Sequence, residues 1–347
     1  MAGLFQAGSN RKMAIHISSC AYNLPAEFVE LEDVLLSEKS RVEAAMAPLS
    51  GKLRERILSN LGTNRVRICK QEQPYDLAFK AAAQAIDRAG IRPEDIDLII
   101  DFATLPGKNG TFFPFAQKLS CDLKANDPLS MSYKVGGCAG LHMAIKNAVA
   151  LMNTDANLRT ALLVTADSPP PGSRTLLPIA VQGDAGSAII LTRDSGSGPT
   201  LLCTEILTLN HLHDVITIEC NDGKPANMLI HVDSARIEKE LMPIYYLNFY
   251  RLIAKALAKT GLTLEDIDHF IYSSISHADY YGFVHALHLP EEKVAPARFA
   301  DLGHTFASDL IINYADLCRN LRILPGHNLL FASAGIGFTW GVTIARA

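Results

Sequence analysis

Residues 135–141 read Val-Gly-Gly-Cys-Ala-Gly-Leu, a thiol among small residues between Met-Ser-Tyr-Lys-Val and an alanine-rich run of helical character. The glycines permit a tight turn ahead of Cys138, and the residues that follow it favour helix. A thiol at a helix N-terminus feels the positive end of the dipole and the exposed N–H groups, which favour its anion. The same backbone donors can hold the oxygen of a thioester under attack. On residue types alone a second reading stays open, in which the glycines serve close helix–strand packing around an inert thiol. The other six cysteines, Cys20, Cys69, Cys121, Cys203, Cys220 and Cys318, show no CxxC or zinc-finger spacing and read as core thiols of a reducing compartment.

A nucleophilic cysteine needs a partner, and eleven histidines compete for the role. His211, His213 and His231 fall in a stretch that reads as solvated. His285 and His288 are one helical turn apart, but no carboxylate or cysteine completes a ligand set, so no metal is predicted. His277 closes the apolar run Phe-Ile-Tyr-Ser-Ser-Ile-Ser, at the strand end where parallel α/β sheets present functional groups. His304 sits in the small-residue turn Leu-Gly-His-Thr-Phe-Ala-Ser.

An internal repeat would bring these residues together. Residues 82–104 align without a gap on residues 253–275 at an offset of 171, with eight identities that include Gly90/Gly261 and the tetrapeptide Glu-Asp-Ile-Asp. Each copy reads as helix, glycine C-cap, acidic turn and apolar strand. Both continue as a small-residue turn, a long helix and a further strand, and Gly137-Cys138 then falls opposite Gly303-His304. The expected fold is α/β, two halves of helix-covered and largely parallel sheet about a pseudo-twofold axis. The first half spans residues 13–195 and carries Cys138. The second spans 196–347 and carries both histidines, with a substrate-shaping insertion at about 205–250. Residues 1–12 read as a loose leader.

Composition sets the outer bounds. The chain has 347 residues, 48% of them hydrophobic and 20% charged, and a net charge of −4, so a folded core is expected and a nucleic-acid partner is not. No apolar run approaches the length of a membrane span, and the N-terminus lacks the apolar segment of an export signal, so the expected location is the cytoplasm.

Seven segments, in order, resemble the thiolase-fold condensing enzymes, specifically the β-ketoacyl-ACP synthase III group and its polyketide-pathway relatives. Val-Gly-Gly-Cys-Ala-Gly-Leu is similar to the nucleophile turn, and LGTNRVRICK to the early Thr-Gly-Ile-Arg region. FFPFAQKL resembles the dimer loop, QGDAGSAIIL the Gly-Asp-Gly-Ala-Gly strand, and SISHADY the His-Gln-Ala-Asn segment. LGHTFAS stands for Gly-Asn-Thr-Ser, and SAGIGFTWG for the C-terminal glycine turn. The resemblance implies the thiolase fold, a duplicated αβαβα layering with pseudo-twofold halves, and an acyltransferase that forms an acyl-Cys138 intermediate and condenses it with a second thioester, as in polyketide or secondary-metabolite biosynthesis. It implies catalytic Cys138, His277 and His304, and an oxyanion hole from the backbone N–H groups of Cys138 and Ile336. It further implies a homodimer in which Phe113 enters the neighbour's pocket. No cofactor is expected. The acyl group would arrive as acyl-phosphopantetheine on an acyl carrier protein or as acyl-CoA.

The departures from the family are specific. His304 replaces the active-site asparagine, which gives a Cys-His-His set like that of elongating synthases, whose two imidazoles would donate to an enolate oxygen. The arginine beyond the His-Gln-Ala-Asn segment falls on Gly282, and the N-terminal tryptophan that stacks adenine is absent, since the one tryptophan is Trp340. Two alternatives follow: an acyltransferase of the same fold that passes its acyl group to a hydroxyl or amine, and a non-catalytic partner of an active paralogue.

Overall fold

The structure, a computed structural model, describes residues 14–47, 49–105, 114–133, 136–193, 198–220, 228–320 and 322–347. The proposed leader and Phe113 lie outside the described residues.

Among the described residues, nine strands make the central sheet: β1 (Ile15–Asn23), β2 (Leu98–Asp101), β3 (Leu129–Ser132), β4 (Thr160–Asp167), β5 (Ala185–Arg193), β6 (Thr200–Thr208), β7 (His269–Tyr272), β8 (Asn328–Gly335) and β9 (Thr339–Arg346). Their spatial order is β7-β8-β9-β6-β1-β5-β4-β2-β3. Outward from the centre the first half runs β1-β5-β4-β2 and the second β6-β9-β8-β7, a mirrored order about a single pairing, His16 with Thr200. β2 and β7 begin and end 171 residues apart, which is the sequence offset of the repeat.

The helices supply the remaining layers: α1 (Pro74–Ala89), α2 (Gly140–Thr154), α3 (Met242–Thr260), α4 (His277–Ala286) and α5 (Ser308–Arg319). α1 covers β1, β4 and β5 on one outer face, and α3 covers β6 and β9 on the other. α2 and α5 lie between the halves, and each packs on strands of both. α1 closes on its strands through Ala78, Ala81, Ala82 and Ala85, all fully buried, because small side chains let a helix approach closely. The repeat helices α1 and α3 both end on a left-handed glycine, Gly90 at φ 65° and Gly261 at φ 69°, where a side chain would be strained. Side chains of β2, β4 and β8 alternate between the central layer (Ile100, Leu163, Phe331) and an outer one (Ile99, Leu162, Leu330), which accounts for their continuous apolar sequences.

Two expectations need correction. The sheet is mixed, with parallel pairing at β2–β3, β2–β4 and β7–β8 and antiparallel pairing elsewhere. Helical crossovers give parallel neighbours at the edges, whereas β5 and β9 return directly from β4 and β8 by reversal. The insertion is also shorter than residues 205–250. Residues 205–208 complete β6, and residues 242–250 belong to the repeat helix α3. The extra piece is the hairpin Ile216–Cys220 with Met228–Val232, followed by a π-helical turn over Ile237–Leu241.

Candidate active site

Cys138 lies in a short 3-10 turn, Gly137–Ala139, that leads directly into α2. The turn demands glycines: Gly136 and Gly137 have φ of 87° and 49°, and a methyl on Gly137 would meet Ile336 N at 2.5 Å. The end of β8 presses against it from the other half. A methyl on Gly335 would sit 2.0 Å from Gly136 O and 2.4 Å from Cys138 N, and Ser333 Oγ donates to Cys138 O at 3.0 Å. The backbone of Cys138 and that of Ile336 therefore share one corner, as an oxyanion hole would require.

His304 arrives from the equivalent turn of the second half. Its N–H donates to Val181 O and its carbonyl accepts from Gly183 N, which ties the turn to the strand end of the first half. The imidazole Nε2 stands 3.1 Å from Cys138 Sγ. Its Nδ1 stands 2.7 Å from Oδ2 of Asp309, in the first turn of α5. Asp309 is held in turn by Ser274 N at 2.8 Å, Thr305 N at 2.8 Å and Thr305 Oγ1 at 2.6 Å. All three triad residues are buried. Burial alone would strip the proton from His304, but the negative charges of the Cys138 sulfur and the Asp309 carboxylate outweigh it and hold the imidazole well above its usual range. The carboxylate also fixes the tautomer: Nδ1 carries the hydrogen donated to Asp309, so a neutral His304 turns a lone pair toward the sulfur.

His277 does not join this group, contrary to the sequence expectation. The strand stops at Tyr272, and Ser276 becomes the N-cap of α4, accepting from Asp279 N at 3.4 Å. The helix then starts with His277 on its outer face, exposed, its ring 4.5 Å from that of Tyr281 and 6.1 Å from that of Phe299. Ser276, Ala278 and Asp279 face the active-site cavity instead. This is a register slip of one residue. Aligned on Ala278, the His-Gln-Ala-Asn segment places Ser276 where its histidine stands and Asp279 where its asparagine stands, and the arginine position moves from Gly282 to Tyr281.

The cavity holds about 710 Å³. Its walls come from the nucleophile turn, the segment 176–182, the extra piece of the second half and the cap helices Lys39–Met46 and Gly51–Leu61. Asp309, Asp279, Gln182 and the cap helices were not singled out from sequence. The spacing His304-Thr-Phe-Ala-Ser-Asp309, which carries the carboxylate into the first turn of an expected helix, was the legible sign of the triad.

The comparisons agree with this architecture. Residues 257–347 match the C-terminal domain family of 3-oxoacyl-[acyl-carrier-protein] synthase III. The β-ketoacyl-[acyl-carrier-protein] synthase III of Erythrobacter litoralis is 26% identical over 277 residues, 78% of this chain and 83% of that protein. The chain is similar to the synthase III proteins in sequence and shares their thiolase fold. The 3-oxoacyl-[acyl-carrier-protein] synthase III structure from Aquifex aeolicus superposes with a TM-score of 0.79 at 21% identity, covering 96% of this chain and all (100%) of that one. The acyltransferase ChlB3 does so with a TM-score of 0.77 at 24% identity, covering 96% and 98%.

Proposed function

We propose that this chain is an acyltransferase that loads an acyl group onto Cys138 from a carrier-protein or coenzyme A thioester and passes it to a hydroxyl or amine. The observation that carries the reading is the relay from Cys138 Sγ to His304 Nε2 at 3.1 Å and from His304 Nδ1 to Asp309 at 2.7 Å. The Cys138 thiolate attacks the thioester carbonyl, and the backbone N–H groups of Cys138 and Ile336 receive the oxyanion. The tetrahedral adduct expels the donor thiolate, which takes the proton from Nε2 of the imidazolium. His304 is then neutral with its lone pair toward the acyl-thioester. As the acceptor attacks, Nε2 takes its proton, Cys138 departs as the thiolate, and the imidazolium–thiolate pair is restored.

Decarboxylative condensation asks for the opposite polarity. An enolate oxygen needs hydrogen-bond donors, while a neutral His304 oriented by Asp309 offers an acceptor, and His277 stands outside the cavity. Acyl transfer to a protic acceptor therefore fits the site better than the Cys-His-His condensation expected from sequence. A carrier protein as donor is supported by the synthase III relatives, and a homodimer remains part of the proposal, tested by light scattering at assay concentration. The reading as a whole is tested by intact mass spectrometry after exposure to acyl thioesters. An adduct on the parent chain that is absent from Cys138→Ala is expected, and an adduct that persists in that variant contradicts the assignment.

A further inference from the structure

The cavity beside Cys138 is mostly apolar, yet among the described residues that line it two buried oxygens, Oε1 of Gln182 and Oδ2 of Asp279, have no donor within hydrogen-bond distance, and around Asp279 only the hydroxyls of Tyr272, Tyr245 and Tyr246 approach the carboxyl group. Gln182 is 1% exposed and adjoins the His304 turn through a backbone bridge. Asp279 lies near both the triad and Tyr245, with its backbone carbonyl accepting from Tyr246 Oη at 3.3 Å. A buried acceptor without a donor costs free energy, so a site that keeps two of them is matched to a ligand that supplies donors. Charge points the same way. Among the described residues that line the cavity are the carboxylates Asp279 and Glu238 and no lysine or arginine. His304 also lines the cavity and is its cation only until Cys138 is acylated; once it has given up its proton, such walls repel a second anion and accept a neutral or cationic donor.

We propose that the acyl group carried by Cys138 bears a hydrogen-bond donor, a hydroxyl or an amino group, which Asp279 and Gln182 receive, and that it carries no negative charge. This rests on the acyl-Cys138 step of the proposed function but not on the identity of the acceptor. The donor is read along the acyl chain because that group stays anchored in the cavity between the two half-reactions.

The test measures Cys138 loading by intact mass spectrometry with N-acetylcysteamine thioesters of hexanoate, of hexanoates hydroxylated in turn at each carbon, of ω-aminohexanoate and of adipate. At least one hydroxylated or aminated chain should load about 10- to 100-fold faster than hexanoyl, the range of a hydrogen bond to a charged or buried acceptor. Adipoyl should be slowest. Asp279→Leu with Gln182→Leu should bring the ratio to hexanoyl close to one. The isosteric Asp279→Asn should remove the amino preference and keep the hydroxyl one. Iodoacetamide labelling of Cys138 reports an intact site in each variant. Hexanoyl loading as fast as every substituted chain, or a preference that survives in the double variant, overturns the inference and leaves the acyl-enzyme intact. No adduct with any thioester overturns both.

Discussion

Asp309→Asn isolates the part of the site that sequence did not supply. The side chain keeps its shape but replaces one acceptor oxygen with a donor NH₂ group. Oδ2 faces His304 Nδ1 at 2.7 Å and Ser274 N at 2.8 Å, while Oδ1 faces Thr305 N at 2.8 Å and Thr305 Oγ1 at 2.6 Å. Either placement of the amide leaves a buried backbone N–H facing a donor, which costs about 1–3 kcal/mol of stability. The chemical effect is larger. Without the carboxylate, His304 keeps the Cys138 sulfur beside it but loses the second charge that sustains its proton and the partner that fixes its tautomer. The same change in a Ser-His-Asp triad lowers kcat about 10⁴-fold, roughly 5.5 kcal/mol of barrier, and acyl transfer from Cys138 should fall by a similar order. Loading should fall less, because a thiol is the stronger nucleophile. Single-turnover quench with intact mass spectrometry separates the two steps. Histidine-selective ¹⁵N NMR should show the parent His304 doubly protonated above pH 6.5 and the variant losing that proton at lower pH. Transfer within tenfold of the parent, in a variant whose His304 proton affinity has fallen, would refute the relay.

Three further outcomes follow from the geometry. His277→Ala should leave both half-reactions within about twofold of the parent and stability within about 0.5 kcal/mol, since the ring is exposed on α4; a 10²-fold loss of transfer would return it to the site. Gly335→Ala should abolish loading, because the methyl would lie 2.0 Å from Gly136 O and 2.4 Å from Cys138 N, and parent-like loading would show that the two halves do not meet there. Asp279 is pushed up to about 6, first by burial. The folded protein therefore binds this proton more tightly than the unfolded chain, and stability falls as pH rises from about 4 to about 6. The upper bound is about 3 kcal/mol for two pKa units, as part of the side chain reaches open cavity. Asp279→Asn should be more stable than the parent at about pH 8 and close to it at about pH 4, and urea melts with an equal difference at both values would contradict this.

The sequence carried the architecture through its repeat. The offset read from Glu-Asp-Ile-Asp is the spacing of β2 and β7, and the paired turns did bring Cys138 to His304. Strand direction was harder to read, because buried parallel and antiparallel strands are both continuously apolar, and only the connections distinguish them. His277 was misplaced because a strand pattern was extended through Ser273–Ser276, where the chain leaves the sheet and caps a helix; one residue of error there changes which side chain faces the cavity. Asp309 stands one residue beyond the small-residue turn Leu302–Ser308, where an acidic residue in a first helical turn looks like ordinary helix capping. Gln182 and the cap helices carry no local pattern of chemistry, and their place in the site depends on packing between segments distant in sequence.

In the proposed reaction His304, once Cys138 is acylated, acts as a base toward a protic acceptor. The most direct measurement starts from isolated acyl-Cys138 protein and offers it a malonyl thioester together with a panel of alcohols and amines, with products identified by mass spectrometry. An ester or amide, loss of the adduct from Cys138 and no carbon dioxide are expected. A β-ketoacyl thioester formed with release of carbon dioxide would contradict this role of His304 and restore condensation as the reaction of this site.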